Sequence, residues 1–289
     1  MPLKPTHPLD QSPLFALRTR GKLARLARIS LAELRALELG VDQYSEFDRP
    51  KKNGTGLRHV ENPCRELKRV QARLARILGQ ITPPDFLFCP VKRRCYVTNA
   101  AAHLGNRVVQ CLDIQKFFPN TPQRRVFWFF NSVMKCNRDM AGLLAKLACY
   151  QGHLPTGSPL SPIMAYFAFY DLWAQLAAFC EARGYTFTVY IDDVTLSGAR
   201  IPKSDMWEIR RMIHGHGLVA HKAKTYVDCP AEITGVILRD GMLVAPFRQH
   251  QKKHEARVLL RTTADDERNV LIGRIAGIEG QIRQIAQKN

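Results

Sequence analysis

The stretch "TFTVYIDDVTLSG", residues 186–198, sets Asp192 and Asp193 side by side within a β-branched and aromatic run. Strand interiors are poor in Asp, and two carboxylates about 4 Å apart repel by roughly 4 kcal/mol at an effective dielectric near 20. That is a large fraction of a domain's stability. The run reads as two short strands joined by a tight turn, with the acidic pair at its tip. Ordinary turn aspartates are one reading of such a tip. The other is a site for a hard divalent ion such as Mg2+, which takes one or two carboxylates together with substrate phosphates.

A third carboxylate supports the ion reading. "RVVQCLDI" (107–114) has the composition of a short strand, and Asp113 closes it just before "QKFFPNTP". Two ions held by Asp113, Asp192 and Asp193 could stabilise both the attacking and the leaving oxygen of a phosphoryl transfer.

Composition narrows the partner. The chain has 289 residues, 46% of them hydrophobic, enough for a substantial core and one to three subdomains. Forty-three Lys and Arg against 25 Asp and Glu leave a net charge of +18. That excess points to a polyanion, most simply nucleic acid, although an anionic membrane surface would also attract it. No apolar run reaches membrane-span length, and "MPLKPTHPLDQSPLF" lacks the apolar core of a signal peptide. A cytoplasmic protein with no membrane partner is expected. The eight cysteines include no CxxC pair, so free, mostly buried thiols are expected.

Local patterns place the rest. Residues 20–40 read as two helices, with Ser30 an N-cap and Gly40 a stop. Residues 47–60 read as strand, basic Gly-rich turn and returning strand. In "CRELKRVQARLARILG" (64–79), helical spacing puts Lys68, Arg69, Arg73 and Arg76 within about 80° of Arg65, with Leu67, Val70, Leu74, Ile77 and Leu78 opposite. A basic stripe over an apolar face suits nucleic-acid contact better than a solvated face of mixed charge. Residues 123–150 are expected to be helical. "GHLPTGSPLSP" (152–162) is a turn-rich loop leading into a helix with Ser161 at N-cap, Pro162 at N1 and Gly184 past its end. A helix near 203–216, short strands over 225–245 and a basic helical C-terminal region follow. Strands and helices mix without a regular βαβ rhythm, which indicates α+β.

With these motifs in view, the sequence resembles bacterial reverse transcriptases, most closely the retron type. "YIDD" looks like the YxDD box, "LDIQKFF" like the motif with the first metal-binding aspartate, and "LPTGSPLSP" like the template- and nucleotide-positioning loop. "GLVAHKAKT" resembles the next motif, in which Lys224 falls on a lysine near the incoming triphosphate. "NAAAH" (99–103) is similar to the NAxxH signature of retron enzymes, and "ITG" (233–235) stands where they carry VTG. The motifs occur in family order over roughly residues 45–240.

The resemblance implies a right-hand polymerase. Residues 1–45 would be a helical N-terminal extension, 46–240 fingers and palm, and 241–289 a short basic thumb. Asp113, Asp192 and Asp193 would hold two Mg2+ ions, helped by the backbone carbonyl of Ile114. Lys51, Arg58, Gly157 and Lys224 would contact a dNTP, and Phe118 would exclude a ribose 2′-OH. Arg65, Lys68, Arg69, Arg73 and Arg76, with Asn99, His103, Ile233, Thr234 and Gly235, would handle RNA. His103 could equally be a hydrogen-bonded structural residue at a strand–loop junction. Apart from Phe118, the aromatics of "FFPNTPQRRVFWFF" are assigned to the core, as are Cys95 and Cys111 to packing. Thr156, Tyr166, Ile191, His221 and Ile233 depart from the family pattern, and none of them is a metal ligand.

Retron membership further implies a structured non-coding RNA as template and primer, 2′-OH priming, an RNA–DNA hybrid product, and an anti-phage role beside an effector protein. The rivals are another defence-associated or intron-type reverse transcriptase, and a silent RNA-binding scaffold with a polymerase fold. A scaffold has no need of clustered carboxylates.

Overall fold

The computed structural model describes residues 6–50, 56–262 and 265–288. The chain is mixed α+β, and its contacts gather it into two units interleaved in sequence rather than into consecutive blocks. Unit 1 combines Met1–Asp85, Ile114–Ala177 and Glu208–Ala220; unit 2 combines Phe86–Asp113, Ala178–Trp207 and His221–Asn289.

Unit 1 is mostly helical. Ser30 opens Leu31–Leu39 with a capping box: its hydroxyl accepts from the Glu33 amide while the Glu33 carboxylate accepts from the Ser30 amide. Gly40 ends that helix in the left-handed region, at φ 80°. Strands β1 (Tyr44–Pro50) and β2 (Leu57–Pro63) pair antiparallel, and the helix Arg65–Leu78 follows. Its buried side chains include the predicted apolar set. Phe117, Phe129, Phe130, Phe167 and Trp173 are buried.

Two local expectations need correction. Ser161 is the first residue of Ser161–Ala168, not its N-cap, because its hydroxyl donates to the Pro155 carbonyl (2.6 Å) and holds the preceding loop instead. The helical run also breaks at Phe169 before resuming as Tyr170–Glu181. At the break, Arg125 donates to the Ala168 carbonyl and pairs with Asp171. Among the described residues no single helix is long and apolar enough to cross a membrane; this bent pair has the length and composition, and its first half is buried.

Unit 2 is built on a sheet ordered β3-β5-β6-β4-β7. Its strands are β3 (Leu87–Cys89), β4 (Val108–Ile114), β5 (Thr186–Tyr190), β6 (Asp193–Gly198) and β7 (Ala220–Val227). A second sheet holds β8 (Ala231–Ile233), β9 (Val236–Arg239) and β10 (Met242–Val244). Val97 and Ala100 of the helix Tyr96–Ala101 share a core with Val109, Ile233, Val236 and Leu243. Ile285, near the end of the C-terminal helix Asp265–Ala286, packs into the same core.

Candidate active site

Register brings the two acidic boxes together. Tyr190 pairs with Asp193 across β5 and β6, so Ile191 and Asp192 form the two-residue turn. Ile191 sits at φ 59°, a left-handed conformation that β-branched residues rarely adopt. On the other side of β6, Asp193 pairs directly with Asp113 of β4. Like charges directly opposite destabilise a sheet, so this register is hard to explain by folding alone.

A cavity of about 410 Å³ opens at this point, lined by Asp113, Tyr190, Asp193, Lys222, Lys224 and Thr234, among others. Burial pushes the Asp193 carboxyl up to about 7; the charges of Asp192 and Asp113 add to the rise, and Lys224 and Lys222 oppose it. Asp113 has His221 Nδ1 at 3.5 Å and Lys222 Nζ at 3.8 Å. Ile114 ends β4 with its side chain buried, leaving only its main chain for any ligand role. Cys111 is buried enough to raise its thiol to about 11, in keeping with a packing role.

These residues fit a hard divalent ion. The donor set is carboxylate oxygen, from strands held in fixed register. Among the described residues, no group of three or more His, Cys, Asp or Glu is gathered closely enough to hold a metal ion by itself. A site completed by water and substrate phosphates, as Mg2+ prefers, needs no such cage.

The two signature motifs meet inside unit 2. The Asn99 amide donates to Thr234 Oγ1 (3.4 Å), and that hydroxyl donates to the Tyr96 carbonyl (3.1 Å). Thr234 and Gly235 form the tight turn between β8 and β9, at φ 46° and 87°. Such a turn favours Asn-Gly, and the two hydrogen bonds hold Thr there despite its branched side chain. His103 lies in the turn after the helix Tyr96–Ala101, not at a strand–loop junction. Its Nδ1 meets Ser197 Oγ at 2.7 Å and its Nε2 meets Thr188 Oγ1 at 2.8 Å, so it stitches β5 to β6 beneath the acidic turn. Direct RNA contact by Asn99, His103 and Ile233 is therefore corrected. Their side chains are 1%, 0% and 1% exposed and offer RNA no surface.

In unit 1, the loop at 152–162 docks on β2. Thr156 Oγ1 accepts from the Glu61 amide (3.1 Å) and donates to the His59 carbonyl (2.9 Å). The buried Glu61 carboxylate takes His153 Nε2 (2.7 Å) and the Thr156 amide (3.2 Å). Gly157 is required here, because a Cβ would lie 2.5 Å from the Glu61 carbonyl oxygen. Ser158 donates to Gln71, whose amide donates to Tyr44 and to the Leu147 carbonyl, tying the loop to the basic helix. Thr156 thus works as a clamp. Tyr166 is core, its hydroxyl raised by burial.

Lys51 lies outside the described residues. Arg58 is exposed and pairs with Arg49 across β1 and β2, a second like-charge register that an anion would relieve. Phe118 is half-buried against Phe117. Glu61, Arg49 and Lys222 were not singled out from the sequence. Lys222 alone carried a signal, its two-residue spacing from Lys224 on a strand.

The five basic residues of the stripe differ in how far the fold engages them. Arg65, Lys68, Arg69 and Arg76 are exposed, with the Lys68 ammonium donating to Asn62 (2.8 Å). Arg73 is partly buried and its Nε donates to the Leu26 carbonyl (2.9 Å), so part of this side chain anchors the preceding helix. Replacing Arg65, Lys68 and Arg69 with Ala is expected to weaken RNA binding and to flatten log K against log salt by roughly two to three units. Folding should survive, since these side chains are exposed and Ala is the best helix former. An unchanged slope in a salt series would mark the stripe as an ordinary solvated face.

The comparisons with known proteins agree with this geometry. Residues 50–238 match the reverse transcriptase (RNA-dependent DNA polymerase) family. The chain is 30% identical over 224 residues to the retron Ec86 reverse transcriptase of Escherichia coli, covering 75% of this chain and 70% of that protein. It is 24% identical over 211 residues to the retron Se72 reverse transcriptase of Salmonella heidelberg, covering 69% and 56%. To the retron Mx65 reverse transcriptase of Myxococcus xanthus it is 29% identical over 238 residues, covering 73% and 55%. The chain therefore spans little more than half the length of these last two. By family match and by identity to such a relative, it belongs to the retron-type reverse transcriptases.

Proposed function

We propose that the protein is an RNA-directed DNA polymerase that copies a structured non-coding RNA, with right-hand fingers, palm and thumb. The observation that carries the reading is the Asp113–Asp193 pairing beside Lys222 and Lys224 in one cavity. Asp113 and Asp193, with Asp192 at the turn and the Ile114 carbonyl, would hold two Mg2+ ions. When bound, these ions would activate the primer hydroxyl and stabilise the leaving pyrophosphate. The chain's own part is positioning: Lys224 offers a cation to the triphosphate, and the register of β4, β5 and β6 fixes the acids. Arg58 and Gly157, with Lys51, would contribute to nucleotide binding. His103, Asn99 and Thr234 would act through the fold, by holding the acidic hairpin and the turn at Gly235.

On the grounds of retron membership, the RNA itself would supply the priming 2′-OH, and the product would be an RNA-linked DNA. The same grounds support a cytoplasmic, anti-phage role beside an effector protein. Sequencing nucleic acid copurified with the protein tests the reading. DNA joined to a short RNA supports it; RNA alone would favour a binding scaffold.

Sugar selection is a separate test. Phe118→Val is expected to raise ribonucleotide incorporation relative to deoxyribonucleotide by about tenfold or more, the effect of opening space for one hydroxyl. Competition assays with paired NTP and dNTP measure it. Unchanged discrimination in an active variant would remove Phe118 from the sugar pocket.

A further inference from the structure

Two neighbouring residues of β7 approach Asp113: His221 Nδ1 lies 3.5 Å from Oδ1, and Lys222 brings a cation to Oδ2. Lys222 Nζ is 3.8 Å from Asp113 Oδ2, and Lys222 lines the same cavity as Asp113, Asp193 and Lys224. Residues two apart on a strand share a face, so β7 presents Lys222 and Lys224 together beside β4. The family motif gives a role to Lys224 and none to Lys222.

The contact is poorly suited to a structural role. The Lys222 side chain is 67% exposed, and its ammonium lies beyond hydrogen-bond range of the carboxylate. Exposed pairs of this kind add little to stability. A lysine does suit a movable charge, since its ammonium is a point charge on a flexible four-carbon stem with three rotatable donors. An arginine would favour a fixed bidentate fork on the same carboxylate.

We propose that Lys222 is a displaceable internal counter-ion of the active site: it neutralises Asp113 until a divalent ion arrives, then moves to a phosphate oxygen of the bound substrate. The inference rests on the polymerase reading above and adds a residue to it. Two effects follow. Lys222 competes with the ion for Asp113, so it weakens ion binding to the free protein. Once displaced, it offers a further cation to the charge that develops on the transferring phosphate. No bond is made or broken by Lys222 in either state.

The test uses the full chain with Mg2+ alone, followed by calorimetry and by melting temperature without nucleotide or RNA. Lys222→Met keeps the length of the side chain and removes its charge. It is expected to bind Mg2+ about fivefold more tightly than wild type, the effect of deleting one exposed competing charge. At saturating Mg2+ its kcat for DNA synthesis is expected to fall roughly tenfold, less than the roughly hundredfold or more lost with a fixed, water-excluded donor, because Lys222 is exposed. Lys222→Arg should restore most of the turnover and keep the ion affinity at or below the wild-type value. Asp113→Asn should abolish the ion response and show that the signal comes from this site. A wild-type response that Lys222→Met leaves unmoved overturns this inference alone. No response in either protein overturns it together with the metal assignment.

Discussion

Asp193→Asn is expected to make the ion-free protein more stable and inactive at once. The Asp193 carboxyl is raised to about 7 by burial, and then by the charges of Asp192 and Asp113. Its unfolded value is 3.8. Between these values the folded state binds more protons than the unfolded one, so this group's contribution to stability falls as pH rises through the window. Above pH 7 the full penalty applies. Asn removes it, with an expected gain of roughly 1–4 kcal/mol, the upper end being the whole shift converted at 1.36 kcal/mol per unit. Denaturant unfolding in EDTA at pH 8 measures the gain, and primer extension with Mg2+ measures the loss of activity. A variant that gains no stability would contradict the buried, like-charged environment. One that still extends a primer would remove Asp193 from the metal site.

His103→Ala is expected to have a large effect of the opposite sign. It removes a fully buried ring and strands the hydroxyls of Thr188 and Ser197, which it joins across β5 and β6. A cavity and two unpaired buried hydroxyls together cost about 3–5 kcal/mol, or about 10 °C in melting temperature. Because the acidic turn caps these strands, synthesis on the cognate RNA and on a generic primer–template should fall together. Loss on the cognate RNA alone, in a protein that melts like wild type, would return His103 to RNA recognition.

The same histidine gives an acid-side signature. Burial lowers its pKa to about 4 from 6.5, so its contribution to stability is full above 6.5 and is lost as pH falls toward 4. This slope opposes that of Asp193 over much of one window. The two contributions should therefore offset each other between pH 4 and 6.5, and Asp193→Asn should lose stability on acidification more steeply than the wild type over that window.

Much of the site was legible because it rests on short-range rules. Period-two alternation and a tight turn place Asp192 and Asp193 on a hairpin, and an apolar run ending in Asp113 reads as a strand. Helical spacing separates the basic and buried faces of Arg65–Leu78, and Ser30 announces a capping box. Ordered motifs then identify the family, since spacing along the chain is what family resemblance measures.

What the sequence could not decide were partners far apart in the chain. That Arg73 ties back to the fold depends on the carbonyl of Leu26, and whether His103 is open to RNA depends on hydroxyls 85 and 94 residues away. Glu61 is buried because a loop 95 residues downstream brings it hydrogen-bond donors. Lys222 reaches Asp113 because β7 lies beside β4 in the sheet. The sequence by itself determined which residues carry the chemistry and on which local elements they ride, because backbone periodicity and turn preference act over a few residues. Only the tertiary structure decided which of them are exposed and which charges face each other, because burial and electrostatics depend on distance in space.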